Sequence, residues 1–317
     1  ETRIFKEITR SIQEKASEIK NLAKQIAELD VYCSFAAISK KNNFCKPELV
    51  NNKVFEIEDG YHPVINQTLL KESNEKFQKN NCSLDNDNYF WLLTGPNMSG
   101  KSTYMRQNAI IAILSHIGSY VPAKKAKIGI IDRVFSRVGA SDNLAKGQST
   151  FMVEMLETAT IINQATEKSF LILDEIGRGT STYDGLAIAW AISEQISQKI
   201  QSRCIFATHY HELTQLSEKG TKIKCYSIEI KEWQDKIIFL HKIKKGAAKK
   251  SYGIDVAKLA GIPHNIIIRA KNILESLEKS SSQKIELPLF ENQEKSDNKH
   301  VKNLTTEDNK LMQFIKS

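Results

Sequence analysis

Gly95-Pro96-Asn97-Met98-Ser99-Gly100-Lys101-Ser102 has the spacing G-x-x-x-x-G-K-S, which is suited to holding a phosphate chain. Glycines let the backbone curl so that several N–H groups converge, and a helix that starts at the loop adds the positive end of its dipole. Lys101 would reach the β- and γ-phosphates, the Ser102 hydroxyl would sit on Mg²⁺, and Thr103 continues the same loop into the helix. Some seventy residues on, Asp174-Glu175 ends a continuously apolar run, Phe170-Leu171-Ile172-Leu173. An acid at that point can hold Mg²⁺ through water, and its neighbour can take a proton from an attacking water; the plainer alternative is a helix-start signal. Ser149 and Thr150 would cap the following helix or meet a γ-phosphate at its start. His209 could sense that phosphate or orient water, or pair with His211 on a metal, although no third ligand accompanies them. Phe77 could stack on an adenine ring or anchor a loop.

These residues need an α/β scaffold. Tyr89–Thr94 is expected as a buried strand into the loop and Ser102–Ile117 as the helix out of it. A strand is expected over Ile128–Phe135 and a helix over Met152–Ala165. Ser169–Asp174, apolar on both faces, should lie mid-sheet among parallel strands, whose carboxyl edge is where ligands bind. A helix to about Lys199 and a strand Cys204–Thr208 follow, then an antiparallel hairpin of Ile223–Ile230 with Lys236–Leu240. Lys53–Glu58 alternates as a half-exposed strand, and 70–88 is a polar loop. Ahead of all this, 3–40 contains neither Gly nor Pro, and Ile4, Ile8, Ile12, Ile19, Leu22, Ile26 and Leu29 form one stripe of a long helix. Ser251–Ala260, a turn at Gly261-Ile262-Pro263 and His264–Glu278 form a helix-turn-helix whose apolar stripe favours packing or dimer contact over DNA. The remainder is a polar linker with a short helix, Leu311–Ile315.

The 317 residues suffice for one or two domains, with 41% apolar and 26% charged residues. The net charge of +8 suits an anionic partner, but the lysines are dispersed and often sit beside Glu. Five scattered cysteines without a C-x-x-C pair argue against a disulfide framework and a zinc site. No apolar run approaches bilayer length and no signal peptide is evident, so a cytoplasmic protein with no membrane partner is expected. The chain starts at Glu1, so it is expected to be a piece of a longer polypeptide.

Four runs in order, Thr94–Gln107, Gly147–Glu154, Asp174–Thr182 and Ala207–Tyr210, resemble the ATPase part of the MutS family of DNA mismatch repair proteins. The resemblance extends to about Glu278 and implies a P-loop NTPase of ABC type, binding ATP and Mg²⁺ between two chains of a homodimer or tetramer. It assigns Gly95 to Thr103 to the phosphate loop, Ser102 and Asp174 to Mg²⁺, and Glu175 to water activation. Ser149 would reach the partner chain's γ-phosphate, His209 would be a switch, and Phe77 and His241 would lie at the base. The implied divisions are 1–46 for the end of the lever helices, 47–245 for the ATPase, 246–279 for dimerisation and 280–317 for linker and terminal helix. Mismatched double-stranded DNA would be bound through upstream domains, and a MutL-type protein would be a partner. The alternatives are a MutS-like paralogue acting in recombination or a more distant ABC-type DNA-processing ATPase, and, from another class, a dimerisation module with idle catalytic parts. Ser99 departs from the family's usual Gly and should tighten the loop.

Overall fold

The computed structural model describes residues 1–280 except 74, 97, 140–148, 219–220, 234–235 and 249–251. The chain divides into Glu1–Val256 and Ala257–Ser317. In order, the first unit contains α1 (Thr2–Glu14), α2 (Ala16–Asn42), β1 (Glu48–Val50), β2 (Phe55–Gly60), α3 (Pro63–Glu72), β3 (Asn80–Leu84), β4 (Phe90–Thr94) and α4 (Lys101–His116). It continues through β5 (Lys125–Gly129), β6 (Val134–Arg137), α5 (Thr150–Gln164), β7 (Phe170–Asp174), α6 (Thr182–Glu194), β8 (Arg203–Ala207), the short α7 (Gln215–Glu218), β9 (Ile223–Trp233) and β10 (Lys236–Lys245). Then come α8 (Gly253–Leu259) and, after a left-handed Gly261, α9 (His264–Ser280).

Two sheets result. The larger runs β10-β9-β4-β8-β7-β6, and all its neighbours are parallel except the β9–β10 hairpin. Its registers pair Leu93 with Ala207 and Ala207 with Asp174, so the carboxyl ends of β4, β8 and β7 finish in one row. That row is what places the phosphate loop beside the two acids. The smaller sheet, β1-β5-β2-β3, packs its inner face into the same core, where Phe55 stacks on Phe170 at 4.8 Å.

The sheets are also joined by Arg203, 1% exposed at the start of β8. Its guanidinium donates to the carbonyls of Val54 (3.3 Å), Gly129 (2.8 Å), Ile130 (2.8 Å) and Lys168 (2.6 Å). Burial lowers its pKa to about 10, so it stays charged at neutral pH.

Several expectations are corrected. The amino-terminal helix is two helices, because the Lys15 N–H turns to Ile12 O and resets the ladder, a break that no Gly or Pro marks. Its stripe lies outward, with Ile4, Ile8, Ile12, Ile19, Leu22, Ile26 and Leu29 all exposed. The strand expected over 128–135 is two, β5 and β6, in different sheets. Between them Ile130 N–H goes to Val50 O, Ile131 N–H to His116 Nε2, and the Asp132 carboxylate is taken by Thr166 and Ser169. The polar loop over 70–88 contains β3, whose Asn80, Cys82 and Leu84 alternate inward; Asn80 is buried because its amide bonds backbone on β10. β7 has parallel neighbours on both sides but is second from the edge, with β4 and β8 at the centre. The linker and the helix expected over Leu311–Ile315 lie outside the described residues.

Removing the guanidinium takes a donor from four carbonyls at once, with the bonds to Val54 O and Gly129 O buried. Arg203→Met is expected to cost roughly 3 kcal/mol or more. A thermal melt should then shift down by roughly 10 °C, with Arg203→Lys in between; an unchanged melt would remove Arg203 from its role as a staple.

Candidate functional site

β4 delivers the chain into the loop, and α4 starts at Lys101. The loop closes only because its backbone enters the left-handed region: Gly100 has φ 102°, and a Cβ there would lie 3.1 Å from His241 Nδ1. Met98 also has positive φ, at 68°, and is 78% exposed. Ser99 is fully buried, and its hydroxyl donates to Pro96 O at 2.7 Å, a bond within the loop that Gly would lack. Lys101, 4% exposed, donates Nζ to Gly95 O at 2.6 Å and Pro96 O at 2.9 Å. Burial lowers its pKa, and Glu175 and Asp174 oppose that shift.

Ser102 Oγ donates to Asp174 Oδ2 at 2.6 Å. Desolvation raises the Asp174 pKa, and the Ser102 hydrogen bond works against it. Glu175 follows in a left-handed conformation, φ 52°, uncommon for a residue with a Cβ and a mark of local strain. Its N–H donates to Ala207 O at 2.9 Å, and its carboxylate pairs with Arg178 at 2.8 Å. Met98, Gly100, Lys101, Ser102, Thr103, Asp174 and Glu175 line one cavity of about 440 Å³ together with Arg137, Gly139, Glu154 and Arg178.

The other candidates stand around this cavity rather than in its lining. Gly95, Pro96 and Ser99 form the back of the loop, and Asn97 lies outside the described residues. His209 follows β8 with its ring 4.1 Å from that of Tyr210. Partial desolvation lowers its pKa, with Glu175 opposing and Arg178 and Lys101 adding to the effect. His241, φ 51°, sits at the irregularity in β10 and bonds Ser99 O through Nδ1 at 2.7 Å. Asn80 then donates to His241 O at 2.8 Å, so the segment after the half-buried Phe77 is tied to the same corner. Ser149 caps α5, accepting from Met152 N–H at 3.1 Å, and is exposed; Gly147 and Gln148, just before it, lie outside the described residues. Thr150 opens that helix and is exposed too. Among the described residues no cluster of three or more His, Cys, Asp or Glu could hold a metal, which leaves the His209 and His211 pair without a set of ligands. None of the described helices is long and apolar enough to cross a membrane, and all five cysteines are free.

Sequence reasoning missed Arg137, Glu154 and Arg178. Glu154 and Arg178 lie inside the motif runs already singled out, which was the available signal; Arg137, on a four-residue strand, had none.

Residues 91–278 match the family MutS domain V. The chain is 49% identical over 283 residues to the DNA mismatch repair protein MutS of Ruegeria sp. (strain TM1040), covering 89% of this chain and 32% of that protein. It is 51% identical over 284 residues to that of Rickettsia rickettsii (strain Sheila Smith), covering 90% and 32%. To that of Zymomonas mobilis subsp. mobilis (strain ATCC 31821 / ZM4 / CP4) it is 51% identical over 287 residues, covering 88% and 33%. The chain thus spans about a third of the length of the curated relatives it matches. On its motifs, its fold and these matches, the chain belongs to the MutS family of DNA mismatch repair proteins, of which it carries domain V.

Proposed function

We propose that this chain binds ATP with Mg²⁺ at the cavity between α4 and β7, hydrolyses the γ-phosphate, and so switches a mismatch-bound protein between conformations. The observation that carries the reading is the 2.6 Å contact of Ser102 with Asp174, where the phosphate loop and the acidic strand end meet. A hydroxyl and a carboxylate are hard oxygen donors, a fitting pair for an ion that keeps several waters. When bound, Mg²⁺ supplies neutralisation of the charge on the β- and γ-oxygens.

The chain's own groups divide the remaining tasks. Loop N–H groups and Lys101 bind the phosphates, and Lys101 exchanges its bonds to Gly95 O and Pro96 O for phosphate oxygens. Glu175, at the strained end of β7, accepts the proton of the attacking water. His209 holds the water or reports the γ-phosphate from the neighbouring strand end. Phe77, three positions before Asn80, and His241, whose carbonyl accepts from Asn80, supply the base platform. Ser149 is exposed at a helix start and outside the cavity lining of its own chain, which favours action in trans on a second copy. The reading includes an ABC-type homodimer or tetramer, with the helix-turn-helix of α8 and α9 as its dimerisation element. The names of the relatives favour mismatch repair over a recombination paralogue, with mismatched DNA bound through further domains, a MutL-type partner and a cytoplasmic setting.

Glu175→Ala should keep ATP bound and slow turnover by roughly 10²- to 10⁴-fold; wild-type turnover in a steady-state phosphate-release assay would sink the assignment. Lys101→Ala should lose the rise in melting temperature that ATP gives the wild-type chain, and a rise equal to wild type would remove Lys101 from the site. Turnover per chain should climb with protein concentration and collapse in Ser149→Ala. A flat, high value at every concentration would mean that each chain acts alone.

A further inference from the structure

We infer that Glu154 is a positioning residue that sets the turn carrying Glu175 and Arg178 and couples it to the helix bearing Ser149; the inference rests on the hydrolysis reading above. Glu154 projects from α5, and its side chain is 9% exposed, a depth at which an ionised carboxylate must be paired and hydrogen-bonded. Its two oxygens face different elements. Oε1 accepts the Gly177 N–H at 2.6 Å, and Oε2 lies 3.6 Å from a guanidinium nitrogen of Arg137 on β6. Arg137 is held in turn by Glu157, at 2.9 Å, and by Gly139 O.

Gly177 is the residue through which such a hold becomes a constraint on the site. It sits two residues after Glu175 and one before Arg178, at φ 89°, and a Cβ there would lie 2.5 Å from Gly185 O. Its carbonyl is also held, by the Tyr210 hydroxyl at 2.9 Å, and Tyr210 adjoins His209. The two peptide planes that meet at Gly177 are therefore each held: α5 holds the donor of the first, and the segment after β8 holds the acceptor of the second. Within that clamp Arg178 is left within 2.8 Å of the Glu175 carboxylate. A charged acceptor makes the Glu154 bond the stronger kind. Glu154 lies five positions after Ser149, the N-cap of the same helix, so a displacement of the helix start by a second copy moves the acceptor of the Gly177 N–H too.

The test compares Glu154→Ala with Glu154→Gln in the full chain; the Gln amide oxygen can still accept from Gly177 N–H. Two readouts are taken: amide hydrogen exchange of the peptide spanning 175–181, and kcat against KM for ATP. In Glu154→Ala, exchange of that peptide should accelerate at least 10-fold and kcat should fall roughly 10- to 100-fold, the usual cost of misplacing a reacting group by about an ångström. KM and ATP-induced thermal protection should hold within about twofold, and Glu154→Gln should recover most of both losses. Unchanged exchange in Glu154→Ala would overturn the inference whatever the turnover. So would faster exchange with kcat intact, or accelerated exchange across the whole chain with Gln giving no recovery. A wild-type chain without turnover would instead defeat the hydrolysis reading, and the exchange comparison would still decide whether Glu154 holds the turn.

Discussion

One buried guanidinium holds the two sheets to each other. Arg203 stands at the amino end of β8 and donates to four carbonyls from three separate stretches of backbone, at 54, 129–130 and 168. A charge this deep is tolerable only when it meets acceptors, and the two terminal nitrogens, bonded to carbonyls at 54, 129, 130 and 168, fix the smaller sheet and the approach to β7 in a single arrangement. With β7 fixed at its start, its register against β8 determines where its carboxyl end falls, and that end carries Asp174.

The site is accordingly a matter of strand ends more than of loops. Three parallel strands finish in one row, so the phosphate loop, the paired acids and the segment with His209 emerge on the same edge without any long connection reaching across. Backbone conformations that are costly for side-chain-bearing residues occur here at Met98, Glu175 and His241. Such strain persists where the surroundings over-determine it. Around Glu175 the determinants are visible: its own N–H on Ala207 O, and the two held peptides on either side of Gly177.

The glycine-bearing turn between β4 and α4, the buried strand before it, the apolar strand ending in two acids and the β9–β10 hairpin were legible in the sequence because each depends on local pattern: glycine spacing, apolar runs and alternation. What stayed hidden was set by distant partners. β3 reads as a polar loop because Asn80 is buried only by virtue of its bonds to His241 O and Ile243 N–H, some 160 positions away. The single strand expected over 128–135 failed because His116, Val50, Thr166 and Ser169 compete for the backbone and for Asp132 between its halves. The break at Lys15 has no compositional mark at all. In the site, the oxygen pair of Ser102 and Asp174 followed from motif chemistry, whereas the buried Arg137 required the fold before it could be placed.

The phosphate loop is internally saturated: the Lys101 ammonium sits on two carbonyls of its own loop, the Ser99 hydroxyl on a third bond within it, and the Ser102 hydroxyl on the carboxylate opposite. Occupation of the loop by a polyanion is therefore an exchange of partners, with few bonds gained outright. On the proposed reading, the enthalpy of association would be correspondingly muted, and affinity would come from charge and from released water more than from bond count. The same symmetry would ease departure, because every group that lets go of a product has a partner already within reach. A cycling enzyme would gain from such a cradle, which holds its own shape between turnovers and does not trap what it has finished with.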